Sequence, residues 1–356
     1  MKFKINTAKL HAMLSKVQRG VGNSKILPIT EYLELNLSYG ELSITATDLA
    51  NFITVIAKDM EGEDGSVVVR AEVLIKLVAK TTVPEMTFTS SDKSVQVTGN
   101  GKYNIPLFET NEFPDYEFDA HEEGYIKVEV ATSLLQKLFA VNRSAIATEM
   151  LMPCLTGYNI GTKSVTTDGI KMCINDLTVF PDTSMLVTET LANLIQAISA
   201  EKVVVEKAGN KILFTTDNLV IFGTELDGID EYPDILPILD IVYAELAVVS
   251  KVELLSAIDR LSLFVDEFDN NGIRLTIGKE MSIQDLKKNS AETIKLLQAS
   301  TSTKEEQEVV LNINYLKDIL SVLSTDNVQF QYGEGLPVRI VEGNVTLILS
   351  TMTTGE

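Results

Sequence analysis

An α+β fold repeated three times along the chain is predicted by three features. A strand-then-helix opening recurs, short strings return at a near-constant interval, and each unit carries a second helix followed by alternating strands. The first opening is an alternating strand ending at Ile5, then Leu10, Leu14 and Val17, spaced as on one helix face. The second opens with Val128 and Val130, then Leu135 and Phe139; the third with Ala247 and Val249, then Leu254, Ile258 and Leu261. Ala46-Thr47-Asp48 is echoed by Thr166-Thr167-Asp168, which sets Thr47 and Thr167 120 residues apart. Glu112-Phe113-Pro114-Asp115 returns as Glu231-Tyr232-Pro233-Asp234, where Phe113 and Tyr232 are 119 apart.

The second helices read as Val73, Leu74, Leu77 and Val78, as Leu191, Leu194, Ile195 and Ile198, and as Tyr315, Leu316, Ile319, Leu320 and Leu323. Alternating runs follow each, such as Met86-Thr87-Phe88-Thr89, Ile212-Leu213-Phe214-Thr215 and Val328-Gln329-Phe330-Gln331. Acidic, turn-rich stretches at 118–124 and 227–240 separate the units. The expected domains are therefore 1–123, 124–244 and 245–356.

Composition bounds the function. A chain of 356 residues with 45% hydrophobic and 22% charged residues is long enough for several cores and is not of disordered composition. Its start, Met1-Lys2-Phe3-Lys4-Ile5, does not read as a signal peptide, and no apolar run is long enough to span a membrane. Cys154 and Cys173 can build neither a disulfide framework nor a structural zinc site, so a cytoplasmic location is expected.

The net charge of −20 opposes a polyanionic partner unless the positive residues are concentrated on one surface. The helices do gather them: Lys9, Lys16 and Arg19, with Lys76 and Lys80, in the first unit; Lys137 and Arg143 in the second; Lys251, Arg260 and Lys317 in the third. Acidic residues crowd the loops, as at 61–64, 115–123, 266–269 and 305–308. Any one of these lysines is accounted for by an ordinary solvated helix face, and it is the repeated placement that favours a binding surface.

With these strings in place, Leu27-Pro28-Ile29, Ala46-Thr47-Asp48, Phe113-Pro114-Asp115, Leu155-Thr156-Gly157, Thr167-Asp168-Gly169, Tyr232-Pro233-Asp234 and Leu311-Asn312-Ile313-Asn314-Tyr315, the whole chain resembles the β subunit of bacterial DNA polymerase III, the sliding clamp family. The resemblance implies three tandem repeats of the DNA clamp fold. It also implies a head-to-tail homodimer that forms a six-domain ring, with helices lining the hole and β-sheets outside. Such a ring encircles double-stranded DNA without reading its sequence and tethers the replicative polymerase, holding by topology, so that contacts to phosphate stay weak enough to slide. No catalytic activity, cofactor or metal is implied.

By similarity, Lys25 and Lys80 match positions where clamps present basic residues to DNA; helix placement adds Lys16, Arg19, Lys137 and Arg143. The family's pocket for short linear motifs of polymerase and clamp loader is matched by Leu155, Thr167, Gly169, Ile170, Lys171, Met172, Pro233, Ile235, Asn312, Tyr315, Leu347 and Leu349. Without the resemblance, Leu155, Leu347 and Leu349 read as core packing. The dimer contact carries over to Tyr103 and Ile105 on one side and Leu263 and Phe264 on the other. The sequence also departs from the family. Clamps usually follow Thr-Asp with Gly or Ser and then His-Arg-Leu, where this chain has Gly169-Ile170-Lys171-Met172, and its end, Leu349-Ser350-Thr351-Met352-Thr353-Thr354-Gly355-Glu356, lacks the proline between apolar residues. These departures point to a divergent or phage-encoded member with an altered docking peptide.

Two other classes compete: a clamp-fold binding scaffold that does not encircle DNA, and a hydrolase working through carboxylates. The enzyme inventory is poor. His11 and His121 lack a nucleophile at useful spacing, Gly99-Asn100-Gly101-Lys102-Tyr103 reads as a hairpin turn, and the acidic stretch 267–272 puts Gly278 where a calcium loop needs glutamate. Asp48 and Asp168 are one position in two repeats and are expected to cap turns.

Overall fold

The computed structural model describes residues 1–22, 26–108, 113–148, 152–299 and 306–353. Lys25, Glu112, Glu305 and the final residues 354–356 lie outside the described residues.

One order of elements runs through the chain three times. The first repeat holds β1 (Lys2–Asn6), α1 (Thr7–Val17), β2 (Tyr32–Ser38), β3 (Glu41–Thr47), β4 (Asn51–Ala57), β5 (Gly62–Glu63) and β6 (Gly65–Arg70). It ends with α2 (Ala71–Ala79), β7 (Glu85–Ser90), β8 (Ser94–Thr98) and β9 (Lys102–Pro106). The second holds β10 (Ile126–Ala131), α3 (Thr132–Asn142), β11 (Gly157–Ile160), β12 (Ser164–Thr167), β13 (Lys171–Asn175) and β14 (Met185–Thr188). Next come α4 (Glu189–Ile195), β15 (Lys202–Ala208), β16 (Lys211–Thr216) and β17 (Leu219–Thr224), then a connector with the one-turn α5 (Leu236–Leu239). The third holds β18 (Glu245–Ser250), α6 (Lys251–Leu261), β19 (Gly272–Ile277), β20 (Glu280–Asp285), β21 (Ala291–Ala299) and β22 (Gln307–Asn312). It closes with α7 (Ile313–Ser321), β23 (Asn327–Tyr332), β24 (Val338–Glu342) and β25 (Val345–Leu349).

Local chemistry sets these boundaries. At four of the strand-to-helix junctions a short polar side chain caps the first turn: Asn6 accepts from Lys9 N, Thr188 from Leu191 N, Ser250 from Glu253 N, and Asn312 from Asn314 N and Tyr315 N. The Thr-Asp strings form one turn twice. Asp48 Oδ1 accepts from Asn51 N at 2.7 Å and Asp168 Oδ1 from Lys171 N at 2.7 Å. The threonine hydroxyls of Thr47 and Thr167 donate to the carbonyls of Asn51 and Lys171, at 2.7 Å each. The tip is left-handed in both, at Leu49 (φ 80°) and Gly169 (φ 88°), and the second repeat has the residue that adopts this conformation without strain. These carboxylates are turn formers, as their repetition implies.

The chain forms two compact units, 1–136 with 187–225, and 137–186 with 226–356. In the first, β4-β3-β2-β6 joins β10-β15-β16-β17 through β17 against β4, with Ile221 opposite Ile53, and a five-stranded sheet runs β5-β1-β7-β8-β9. α1 and α2 pack on each other and bury Leu10, Leu14, Val17, Leu74 and Val78. Tyr116 of the acidic connector stacks on Phe222 at 4.3 Å, so that segment is fastened to its sheet by ring contacts. In the second unit a twelve-stranded sheet runs β14-β11-β12-β13-β25-β24-β23-β18-β21-β20-β19-β22, and β13 meets β25 with Lys171 opposite Leu349. α6 and α7 pack together over a core that includes Leu254, Ile258, Leu261, Leu316, Ile319 and Phe330. Arg339 of β24 donates to the carbonyls of Ile238 and Leu239 and lies 4.6 Å from the Tyr243 ring, holding the second connector.

Some expectations are corrected. Val73 is 44% exposed, and Ile198 and Leu323 lie beyond the ends of their helices yet are buried. Leu347 and Leu349 are fully buried in the core of the second unit, because alternate residues of β25 point inward. Leu347→Ala therefore costs about 2–5 kcal/mol of stability, measured as a fall in the urea midpoint; an unchanged midpoint would place this side chain at a surface instead.

Candidate functional site

The second unit contains a cleft of about 480 Å³ lined by Ile170, Glu267, Asn270, Asn271, Asn312, Tyr315, Ser350 and Met352. Three elements converge on it. The β12–β13 turn lifts Ile170 out to 44% exposure, and Ser350 N donates to the Ile170 carbonyl at 2.9 Å, which lays the segment after β25 along the turn. Met352 N donates to the carbonyl of Val310 on β22. Asn312 does two jobs: its Oδ1 caps α7, and its Nδ2 donates to the Asn270 carbonyl at 2.6 Å. Asn270 and Asn271 are left-handed (φ 51° and 50°), a conformation asparagine tolerates, and Ile313 N donates to the Asn271 carbonyl. The wall is thus formed before any ligand arrives.

Lys171 stands behind this wall. Its side chain is 9% exposed, and Nζ is 3.2 Å from Asp318 Oδ2, 3.7 Å from Asp168 Oδ2 and 5.0 Å from the centre of the Tyr315 ring. A buried ammonium needs such partners, since desolvation without them is prohibitive. In the loop that supplies Glu267, Asn270 and Asn271 to the cleft, Asp266 and Asp269 are held by Lys287 at 2.5 and 2.8 Å. The hydrogen bond from Lys287 holds the Asp266 carboxyl below the usual carboxylate range, and Asp266 in turn pushes the lysine up.

Of the pocket residues expected from sequence, Ile170, Asn312 and Tyr315 line the cleft, Thr167 and Gly169 build its turn, and Lys171 backs it. Met172 belongs to an adjoining apolar cluster with Val165, Ile174 and Ile348, against which Tyr232, Ile235, Ile238 and Leu239 pack. Pro233 is exposed between Tyr232 and Ile235. Leu155 is buried with Cys154 and Leu186, and Leu347 and Leu349 do not line the cleft. Glu267, Asn270, Asn271, Ser350, Met352 and Asp318 were missed. The Asn-Asn pair was a readable turn signal, and Asp318 lies three residues beyond Tyr315 on one helix face.

The basic residues fall into two groups. Arg19, Lys80, Lys137 and Arg143 are exposed and Lys16 is half-buried. Among the described residues, Lys16, Arg19, Lys80 and Lys137 have no carboxylate within ion-pairing distance. By contrast Lys76 pairs with Glu72, Lys317 with Asp259, and Arg260 grips both oxygens of Glu292, holding that carboxyl below its ordinary range; Lys251 donates to the Leu323 carbonyl.

The expected contact residues differ in exposure. Leu263 and Phe264, just past the end of α6, are 80% and 51% exposed, and nearby Phe268 is 96% exposed. On β9 Tyr103 is exposed at the edge, whereas Ile105 is buried by its own sheet.

The comparisons with known proteins agree with this anatomy. The family model described as DNA polymerase III beta subunit, N-terminal domain, matches residues 1–117, and that described as DNA polymerase III beta subunit, C-terminal domain, matches 241–347. The beta sliding clamp of Bacillus subtilis (strain 168) is 24% identical over 357 residues, covering 93% of each chain. The solved DNA polymerase III subunit beta of Pseudomonas aeruginosa superposes with a TM-score of 0.90 at 20% identity, covering 99% of this chain and 100% of that one. The solved sliding clamp of Bacillus subtilis gives a TM-score of 0.88 at 21% identity and covers both chains fully. Matches at both ends to one family, in the family's own order and together spanning more than half of the sequence, establish that the chain belongs to the DNA polymerase III beta subunits, the beta sliding clamps.

Proposed function

We propose that two copies of this chain close head to tail into a six-domain ring around duplex DNA and tether the replicative polymerase as a non-catalytic processivity factor in the cytoplasm. The clamp domains are those cut near 123 and 244. The observation that carries the reading is how the sheets are shared. Strands before the second helix of one repeat join strands after the second helix of the next, β4 with β17 and β13 with β25. Two half-sheets are left over, that of β21 in the third repeat and that of β9 in the first. Over Ala291–Lys295, β21 pairs with β20 on one side, and β9 pairs with β8 alone, among the described residues. Open edges are templates for another chain, and the repeat's own rule makes the missing partner of β21 the β9 of a second copy. Two such joints close a ring. Leu263 and Phe264, with Tyr103, provide its apolar seal.

The residues that meet DNA are Lys16, Arg19, Lys80, Lys137 and Arg143, on or beside the helices, together with Lys25, which the family resemblance implies. Lys16, Arg19, Lys80 and Lys137, without carboxylate partners among the described residues, are free to exchange phosphates as the ring slides, and the acidic remainder of the surface discourages DNA from binding elsewhere. The cleft around Tyr315 takes short linear motifs of the polymerase and clamp loader, gaining affinity by burying apolar anchors in a preformed site.

In sedimentation the protein is expected to be a dimer and the double variant Leu263→Asp, Phe264→Asp a folded monomer; a variant that remains dimeric would overturn this joint. Lys16→Ala with Arg19→Ala is expected to weaken binding to short linear duplex and to reduce the slope of log K against log salt by up to about 1.8, two phosphate contacts at roughly 0.9 each. An unchanged slope would remove these residues from the DNA surface.

A further inference from the structure

We propose that the cleft around Tyr315 selects a docking peptide carrying a basic residue beside its apolar anchor and rejects one with an acidic residue there. The inference rests on the docking role proposed above and names the chemistry of the occupant. Apolar anchorage is offered by Ile170, Tyr315 and Met352. The Asn312 side chain has little left to give, because its amide is spent on the α7 cap and on Asn270.

Charge then decides between peptides. Lys171, behind the cleft, is buried and shared between Asp168 and Asp318, with its ammonium over the Tyr315 ring. It is therefore committed within the protein and closed to an anionic guest. Lys287 is likewise shared by two carboxylates, Asp266 and Asp269, which flank Glu267 in sequence. Glu267 lines the cleft, is exposed, and has no basic partner among the described residues. Five carboxylates thus stand against two ammonium groups. Asp318 on α7 pairs with Lys171 through Oδ2 and its side chain is still 55% exposed. A guanidinium or ammonium placed beside the anchor meets Glu267 or Asp318, whereas a carboxylate there meets only like charge.

The test is fluorescence anisotropy on the intact protein, using two labelled synthetic peptides with the same Leu-Phe anchor, one preceded by Arg and the other by Glu. The Arg peptide is expected to bind about tenfold tighter at low salt, the ratio shrinking as salt screens exposed charges. Glu267→Lys should cut that preference several-fold while leaving thermal unfolding unchanged, and Tyr315→Ala should abolish binding of both peptides. Equal affinities, or a tighter Glu peptide, would overturn the charge preference and leave the docking role standing. Binding of neither peptide to the unaltered protein would overturn the docking role, and this inference with it.

Discussion

The sharing of sheet edges between successive repeats governs this molecule. A strand edge is a row of unspent hydrogen-bonding groups, and natural proteins cover it, blunt it or pair it. Here each repeat divides at its second helix and gives its two half-sheets to different neighbours, so that β4 is covered by β17 and β13 by β25. A linear run of three repeats used in this way always leaves one half-sheet open at each end. A second copy offers the missing edges in complementary order. On this account dimerisation follows from the same pairing that holds the chain together, and the exposed apolar residues after α6 are the seal of that joint.

Much of this was legible in the sequence, because the signals are local. The strand-to-helix openings show in their apolar spacing, and the Thr-Asp strings form the same hydrogen-bonded turn at Asp48 and Asp168. What was not legible is long-range. No periodicity says that β17 pairs with β4 of another repeat, or that the compact units cut through the second repeat. Ile170, Asn312 and Tyr315, named by resemblance, line the cleft, but Leu347 and Leu349 are core, since adjacent strand positions differ only in which face they take. Glu267 and Asp318 were passed over because an acidic residue in a loop or on a helix has no sequence signature of its own. Counting lysines on helices also overstated the free charge: Lys76, Arg260 and Lys317 are engaged by carboxylates, which leaves a smaller group able to meet phosphate.

Two kinds of recognition are thereby separated in one chain. DNA is held by enclosure, so its contacts gain nothing from being strong, and a net charge of −20 is compatible with that task provided a few unpaired cations face the helix. In the proposed docking role, partner proteins are held by a cleft whose wall is tied by Asn312 and beside which Lys171 and Lys287 are already engaged by carboxylates. The departures from family sequence fall in this second region, at Gly169-Ile170-Lys171-Met172 and after Leu349.

Retention on closed DNA tests enclosure most directly. The protein would be mixed with linear plasmid, onto which a ring can thread over the ends, the ends joined by ligase, and the mixture passed through a sizing column at a salt concentration that abolishes binding to short duplex. Enclosure predicts that the protein elutes with the ligated circles and is released when they are cut once; equal loss from circular and linear DNA would show that contact, not topology, holds it.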